Sequence, residues 1–195
     1  MSRLAHRRDG GPRERLLGAA VTLMRRTGLT GAGINEIARE SGAPKGSIYH
    51  YFPGGKEQIA VEALDGYAAA VSGFIDASLR GRKSPGRKVE ALFAAFAERV
   101  ESGRYESSCA AGAVCLDLDG EDARLRESVA SALQRYVDAI ARHFACNDPR
   151  RSRSFAGLLL SAIEGAYIRS RAERSSAAFR EAGAWLAAVA RREFH

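Results

Sequence analysis

From residue 12 onward apolar side chains return every three or four positions, and the stretches that do so are ended by glycine and proline. At about 3.6 residues per turn that spacing lines one face of an α-helix, whereas a half-buried strand needs a period of two, which no segment follows convincingly. The chain is therefore predicted to be all-α, with about nine helices. Leu16, Leu17, Ala20, Val21 and Met24 form a first stripe between Gly10-Gly11-Pro12 and Gly28. Ile34, Ile37, Ala38 and Ser41 form a second, closed by Gly42, and Pro44 suits the first turn of a third. After the break at Pro53-Gly54-Gly55 a long fourth helix carries Ile59, Ala63, Tyr67, Val71, Phe74 and Ile75 and ends between Gly81 and Pro85. Val89 to Val100 mark a fifth, CAAGAVCLDL a sixth, Val129 to Phe144 a seventh, Phe155 to Ala166 an eighth and Phe179 to Ala190 a ninth.

With 195 residues and 46% hydrophobic composition the chain can fill a real core. Thirty Lys+Arg against 23 Asp+Glu give a net charge of +7, which suits a polyanionic partner. Part of the excess sits in an arginine-dense N-terminal arm, residues 1–11. Cys109, Cys115 and Cys146 are odd in number and lack zinc-ligand spacing, which points to a reducing compartment, no disulfide framework, no metal and a cytoplasmic address. Cys109 and Cys115, six positions apart on one helix, would diverge by about 120° and could not bridge. No stretch approaches the 18 or so apolar residues of a membrane span, and no apolar leader with a cleavage site opens the chain. No nucleotide loop, metal cluster or nucleophile elbow is present, so neither enzymatic activity nor a cofactor is expected.

Two short helices joined by Ser41-Gly42-Ala43 have the sequence form of a helix-turn-helix. On a wheel of SGAPKGSIYHYF, Ile48 and Phe52 fall on one side with Tyr51 beside them, while Lys45, Gly46, Tyr49 and His50 share the other. In a helix-turn-helix that outward stripe enters the major groove. Lys45 can reach phosphate or a guanine edge, Tyr49 can bond phosphate and pack on a thymine methyl, Gly46 lets the backbone come close, and His50 can donate to phosphate. Lys56, at the start of the fourth helix, suits a further phosphate. Each of these side chains also has an ordinary surface reading, which their shared stripe makes less favourable.

The stretch GLTGAGINEIARESGAPKGSIYHYFPGGKEQIAVEAL closely resembles the DNA-binding domain of TetR-family transcriptional regulators, over roughly residues 12 to 64. The Pro-Gly-Gly-Lys turn, one residue longer than the commonest form, resembles the LmrA/YxaF-like branch. The resemblance implies an N-terminal three-helix DNA-binding domain, residues 12–56, and an effector-binding and dimerising bundle, residues 57–195. It further implies dimers on a double-stranded inverted-repeat operator. Mapped onto this chain, the DNA-contacting set is Thr30, Gly33, Ala43, Pro44, Lys45, Gly46, Ser47, Tyr49, His50, Tyr51 and Lys56. Gly33 stands where the family usually has a capping threonine, and Thr30 is the candidate substitute.

By the same resemblance the later helices enclose a pocket for a small hydrophobic or aromatic effector. Its candidate lining is Tyr67, Val71, Phe74, Phe93, Phe96, Cys109, Leu116, Tyr136, Leu159, Ile163 and Tyr167, although aromatics at helical spacing are more often plain core. The last two helices are candidates for the dimer interface through Leu158, Ala162, Gly165, Ala166, Phe179, Ala182, Leu186 and Val189, with packing inside one chain as the alternative. The expected function is a ligand-responsive repressor. A helix-turn-helix protein that organises DNA without an effector is the rival.

Overall fold

A computed structural model describes residues 11–82, 84–120, 122–144 and 146–194. The basic arm expected at residues 1–11 lies, apart from Gly11, outside them. Nine helices occur among the described residues: α1 Pro12–Gly31, α2 Ile34–Ser41, α3 Lys45–Tyr51, α4 Gly55–Leu79, α5 Pro85–Ser102, α6 Ala110–Cys115, α7 Ala123–Ala141, α8 Pro149–Glu173 and α9 Ala177–Glu193. Helix breakers set most of the boundaries. Gly42 takes left-handed backbone (φ 67°) to end α2, Gly81 (φ 74°) follows α4, and Pro12, Pro85 and Pro149 stand in the first turns of α1, α5 and α8. No described helix is long and apolar enough to cross a membrane.

The helices group into two compact units that do not follow chain order. The first joins residues up to Ala69 with Cys109–Leu133, so α6 and the beginning of α7 pack with α1, α2, α3 and the beginning of α4. Within it α6 lies on α1 and turns Ala110, Ala111 and Val114 into the core. Its run of small residues permits that close approach.

In this unit α1 breaks at Gly28, whose backbone (φ 72°, ψ −170°) lies in a region essentially reserved for glycine. The Asp117 carboxylate fills the space beside it: a Cβ at position 28 would stand 2.3 Å from Asp117 Oδ2. That oxygen accepts a hydrogen bond from the Thr30 backbone N–H at 2.9 Å. The segment after α6 thus caps the last turn before α2.

The second unit joins Ala70–Ser108 with the chain from Gln134 onward. Here α5 packs chiefly on α9, and α9 also meets α8. Two glycines make the approach possible. A Cβ on Gly183 of α9 would lie 2.7 Å from Phe93 Cβ, and one on Gly86 of α5 would lie 3.1 Å from the Ala187 carbonyl oxygen. Phe74, Phe96, Tyr167 and Phe179 form one aromatic cluster, with ring centroids 5.1 to 6.2 Å apart, and Phe144, Phe155 and Phe194 form another. At the end of α5, Glu101 accepts hydrogen bonds from Ser176 Oγ and from the Arg180 guanidinium, which hold its carboxyl below the usual glutamate range.

Candidate nucleic-acid interface

The second and third helices owe their orientation to a few apolar side chains. Ile37 on α2 and Ile48 and Phe52 on and just after α3 are essentially buried. Because α3 spans only seven residues, burying Ile48 obliges the opposite side to face solvent. Lys45, Gly46, Tyr49 and His50 are all exposed, Tyr49 by 55%. Pro44, also exposed, is the N-cap residue of α3, while Ser47 and Tyr51 are half-buried. The His50 ring meets the Tyr51 ring edge-on with centroids 5.0 Å apart, which limits how freely either ring can turn.

The turn between α3 and α4 is fixed by a relay of side chains. Gly54 N–H donates to Gln58 Oε1 (2.9 Å), Gln58 Nε2 donates to Glu62 Oε1 (2.9 Å), and Glu62 pairs with Arg13 at the start of α1. The Arg13 guanidinium also lies over the Phe52 ring, 5.1 Å from its centroid. This relay ties the ends of α1, α3 and α4 together and leaves Lys56, half-buried in the first turn of α4, on a fixed base. Composition did not point to Arg13, Gln58 or Glu62. Their signal is the i, i+4 spacing of Gly54, Gln58 and Glu62 in the sequence.

The structure corrects one member of the DNA-contacting set, Ala43, and the cap expected of another, Thr30. Ala43 is buried at 7% exposure, and its N–H donates to Ser41 Oγ at 3.2 Å, so neither its side chain nor its amide is available to DNA. Thr30 does not replace the missing cap of α2. The N-cap is Gly33, α2 has no side-chain cap, and Thr30 is engaged through its own N–H with Asp117. Gly33 carries no side chain to offer, so any contact there would be through the backbone.

The effector candidates divide between the units. In the first unit Tyr67 and Cys109 are buried, but Leu116 is 81% exposed, because it follows the last turn of α6 on the surface; it lines no interior. In the second unit Val71, Phe93, Phe96, Tyr136, Leu159, Ile163 and Tyr167 are buried and Phe74 is half-buried. Phe93 is taken up by Gly183 on α9, so its place is set by helix packing. Cys109, Cys115 and Cys146 are free thiols; Cys109 is the N-cap residue of α6 and Cys115 its last residue.

The candidate dimer face also needs correction. Phe179 is 0% exposed between Phe96 and Tyr167, and Ala166 is buried, so a partner subunit could reach neither. Leu158 and Gly165 are exposed, and Ala162, Ala182, Leu186 and Val189 are half-exposed. Sequence reasoning overlooked Ile168 on α8 (66% exposed) and Trp185 on α9 (78% exposed), the apolar residues most open to solvent on these helices. The lone tryptophan of the chain was the available signal.

A helix-turn-helix with a solvent-facing recognition stripe, combined with a helical bundle, defines a DNA-binding transcription regulator. The family model of bacterial regulatory proteins of the tetR family matches residues 16–63. That of the C-terminal domain of LmrA/YxaF-like transcriptional regulators matches residues 85–185. The chain is 32% identical over 171 residues to the HTH-type transcriptional regulator Rv0196 of Mycobacterium tuberculosis, covering 84% of this chain and 86% of that one. It is 28% identical over 170 residues to the HTH-type transcriptional regulator LmrA of Bacillus subtilis, covering 86% and 90%. The crystal structure of a TetR transcriptional regulator from Legionella pneumophila superposes with a TM-score of 0.81 at 18% identity, over 93% of this chain and 98% of that one, which shows a shared fold. The chain belongs to the TetR family, in its LmrA/YxaF-like branch, and is a transcription regulator, not an enzyme.

Proposed function

We propose that this regulator is a ligand-responsive repressor that binds an inverted-repeat operator as a homodimer in the cytoplasm. The observation that carries the DNA-reading part is the division of α3: Ile48 is fully buried while Lys45, Gly46, Tyr49 and His50 are exposed on a helix of two turns. In this reading Lys45 reaches phosphate or a guanine edge, Tyr49 and His50 hold phosphates, and Pro44, Ser47, Tyr51 and Lys56 complete the contact. One such helix reads only a few base pairs, so a two-fold pair doubles the site. Leu158, Ile168, Ala182, Trp185, Leu186 and Val189 supply an apolar face on α8 and α9 for that pairing, and the small residues Ala162 and Gly165 permit close approach.

Functionally the chain divides at residue 57, and residues from there on receive the effector. The buried aromatics Phe96 and Tyr167, with Phe74 beside them, suit a small hydrophobic or aromatic molecule. The effector must bind better to a state with recognition helices spaced wrongly for DNA, because equal affinity for both states shifts nothing. The α4 helix is the lever, since it carries Lys56 in its first turn and continues through Tyr67 and Phe74.

In vitro selection from random duplexes at near-physiological salt tests this. An inverted repeat with half-sites about one helical turn apart supports a dimeric reader; featureless, salt-sensitive binding removes base reading from α3. The DNA-organising alternative is separated by melting the protein against hydrophobic and aromatic small molecules, since a ligand of the folded state raises its apparent stability.

A further inference from the structure

The first unit contains an open cleft of about 510 Å³, of whose lining the proposed DNA contact takes in Lys56 alone. Leu29 borders it from the last turn of α1, Lys56 and Glu57 from the first turn of α4, and the segment from Asp122 to Leu125 from the start of α7. Two cations, Lys56 and Arg124, therefore share one concave surface although they stand on different helices. Neither has an ion-pair partner among the described residues. Two carboxylates share the cleft, but their positions differ in kind. Asp122 Oδ2 accepts the Asp119 backbone N–H at 3.1 Å and so serves its own loop, while Glu57 is exposed and free to turn to water.

We propose that this cleft is a phosphate site in which Lys56 and Arg124 grip one phosphate group from two sides. Arginine presents several N–H donors in a plane and lysine a compact charge, a combination suited to a tetrahedral anion with several oxygens. Of the apolar residues beside them, Leu29 and Leu125 are buried and give the cleft an apolar wall, while Ala123 is exposed. The phosphate has two possible sources. One is the DNA backbone flanking the bases read by α3, in which case Arg124 extends the DNA interface beyond the helix-turn-helix; this source rests on the proposed operator binding. The other is a free phosphate-bearing small molecule, which would compete with DNA for Lys56.

The test uses the full-length protein and its Arg124→Ala and Arg124→Lys variants; Arg124 is exposed, so both fold as the parent does. Affinity for the selected duplex is titrated between about 50 and 200 mM salt, and melting is followed in inorganic phosphate against chloride of equal ionic strength. If the phosphate is that of DNA, Arg124→Ala lowers the salt slope by about 0.9 per bound chain, which is about a 3.5-fold smaller loss of affinity over that range, and Arg124→Lys restores it. If the phosphate is free, inorganic phosphate raises the parent's melting temperature and the rise disappears in Arg124→Ala while the slope stays unchanged. A slope and a phosphate response that are both independent of Arg124 overturn the proposal. If the parent binds no duplex at all, the operator reading falls, and the melting arm still decides the cleft.

Discussion

Replacing Gly28 by alanine tests the junction at the end of α1 most directly. The backbone there (φ 72°, ψ −170°) costs a residue with a Cβ on the order of 1 to 3 kcal/mol. A methyl at that position would also lie 2.3 Å from Asp117 Oδ2, so the carboxylate must withdraw and release the Thr30 N–H. That exposed hydrogen bond contributes about 1 kcal/mol. Gly28→Ala should therefore destabilise the protein by about 2 to 4 kcal/mol, and Asp117→Ala by about 1 kcal/mol. The double variant should cost no more than Gly28→Ala alone, because the bond to Thr30 is lost only once. Urea denaturation at one fixed protein concentration, read by helical circular dichroism, measures all four members of the cycle. Strict additivity would mean that Asp117 does not occupy the space beside Gly28, and a Gly28→Ala variant as stable as the parent would refute the backbone argument as well.

Other perturbations separate the roles assigned above. Lys45→Ala should cost about 1 to 3 kcal/mol of operator affinity if the lysine reads a base edge, or lower the salt slope by about one if it meets phosphate only; unchanged binding and slope would remove it from the contact set. Phe179→Ala should destabilise the chain by about 3 to 5 kcal/mol, since it empties the centre of an aromatic cluster, and chemical denaturation measures it. Trp185→Ala should leave the fold of the chain intact and shift sedimentation toward monomer; an unchanged sedimentation profile would argue against α9 as the pairing face. Glu101, held below the usual glutamate range by Ser176 and Arg180, contributes stability that is present at neutral pH and is lost as pH falls from about 4.3 through its lowered folded value. Glu101→Gln should accordingly flatten the acid side of a melting-temperature profile, and an identical acid limb in both proteins would contradict the assignment.

Much of the helical layout can be read from the chain because its punctuation is local. Gly42 ends α2, Pro44 precedes α3 and Pro85 opens α5 for reasons contained in their own backbones, and the outward stripe of α3 follows from a wheel once Ile48 and Phe52 are assigned inward. The same wheel fails on α9. Apolarity pointed to a stripe through Phe179, Ala182, Leu186, Val189 and Ala190, of which only Phe179 and Ala190 are among the residues turned inward, Ala178, Phe179, Gly183, Ala187 and Ala190. Small residues carry little hydrophobic signal, yet they face inward because α5 brings Phe93 against Gly183.

Periodicity, helix breakers and the aromatic-basic pattern of SGAPKGSIYHYF thus determine an all-α chain with a helix-turn-helix near its start, since each depends on residues a few positions apart. Tertiary structure alone decides that α6 returns to α1, that Asp117 caps a turn 87 residues earlier, and that Arg124 comes to share a cleft with Lys56. These pairings join residues far apart in the chain, and what selects them is the burial of whole helix faces rather than any local preference.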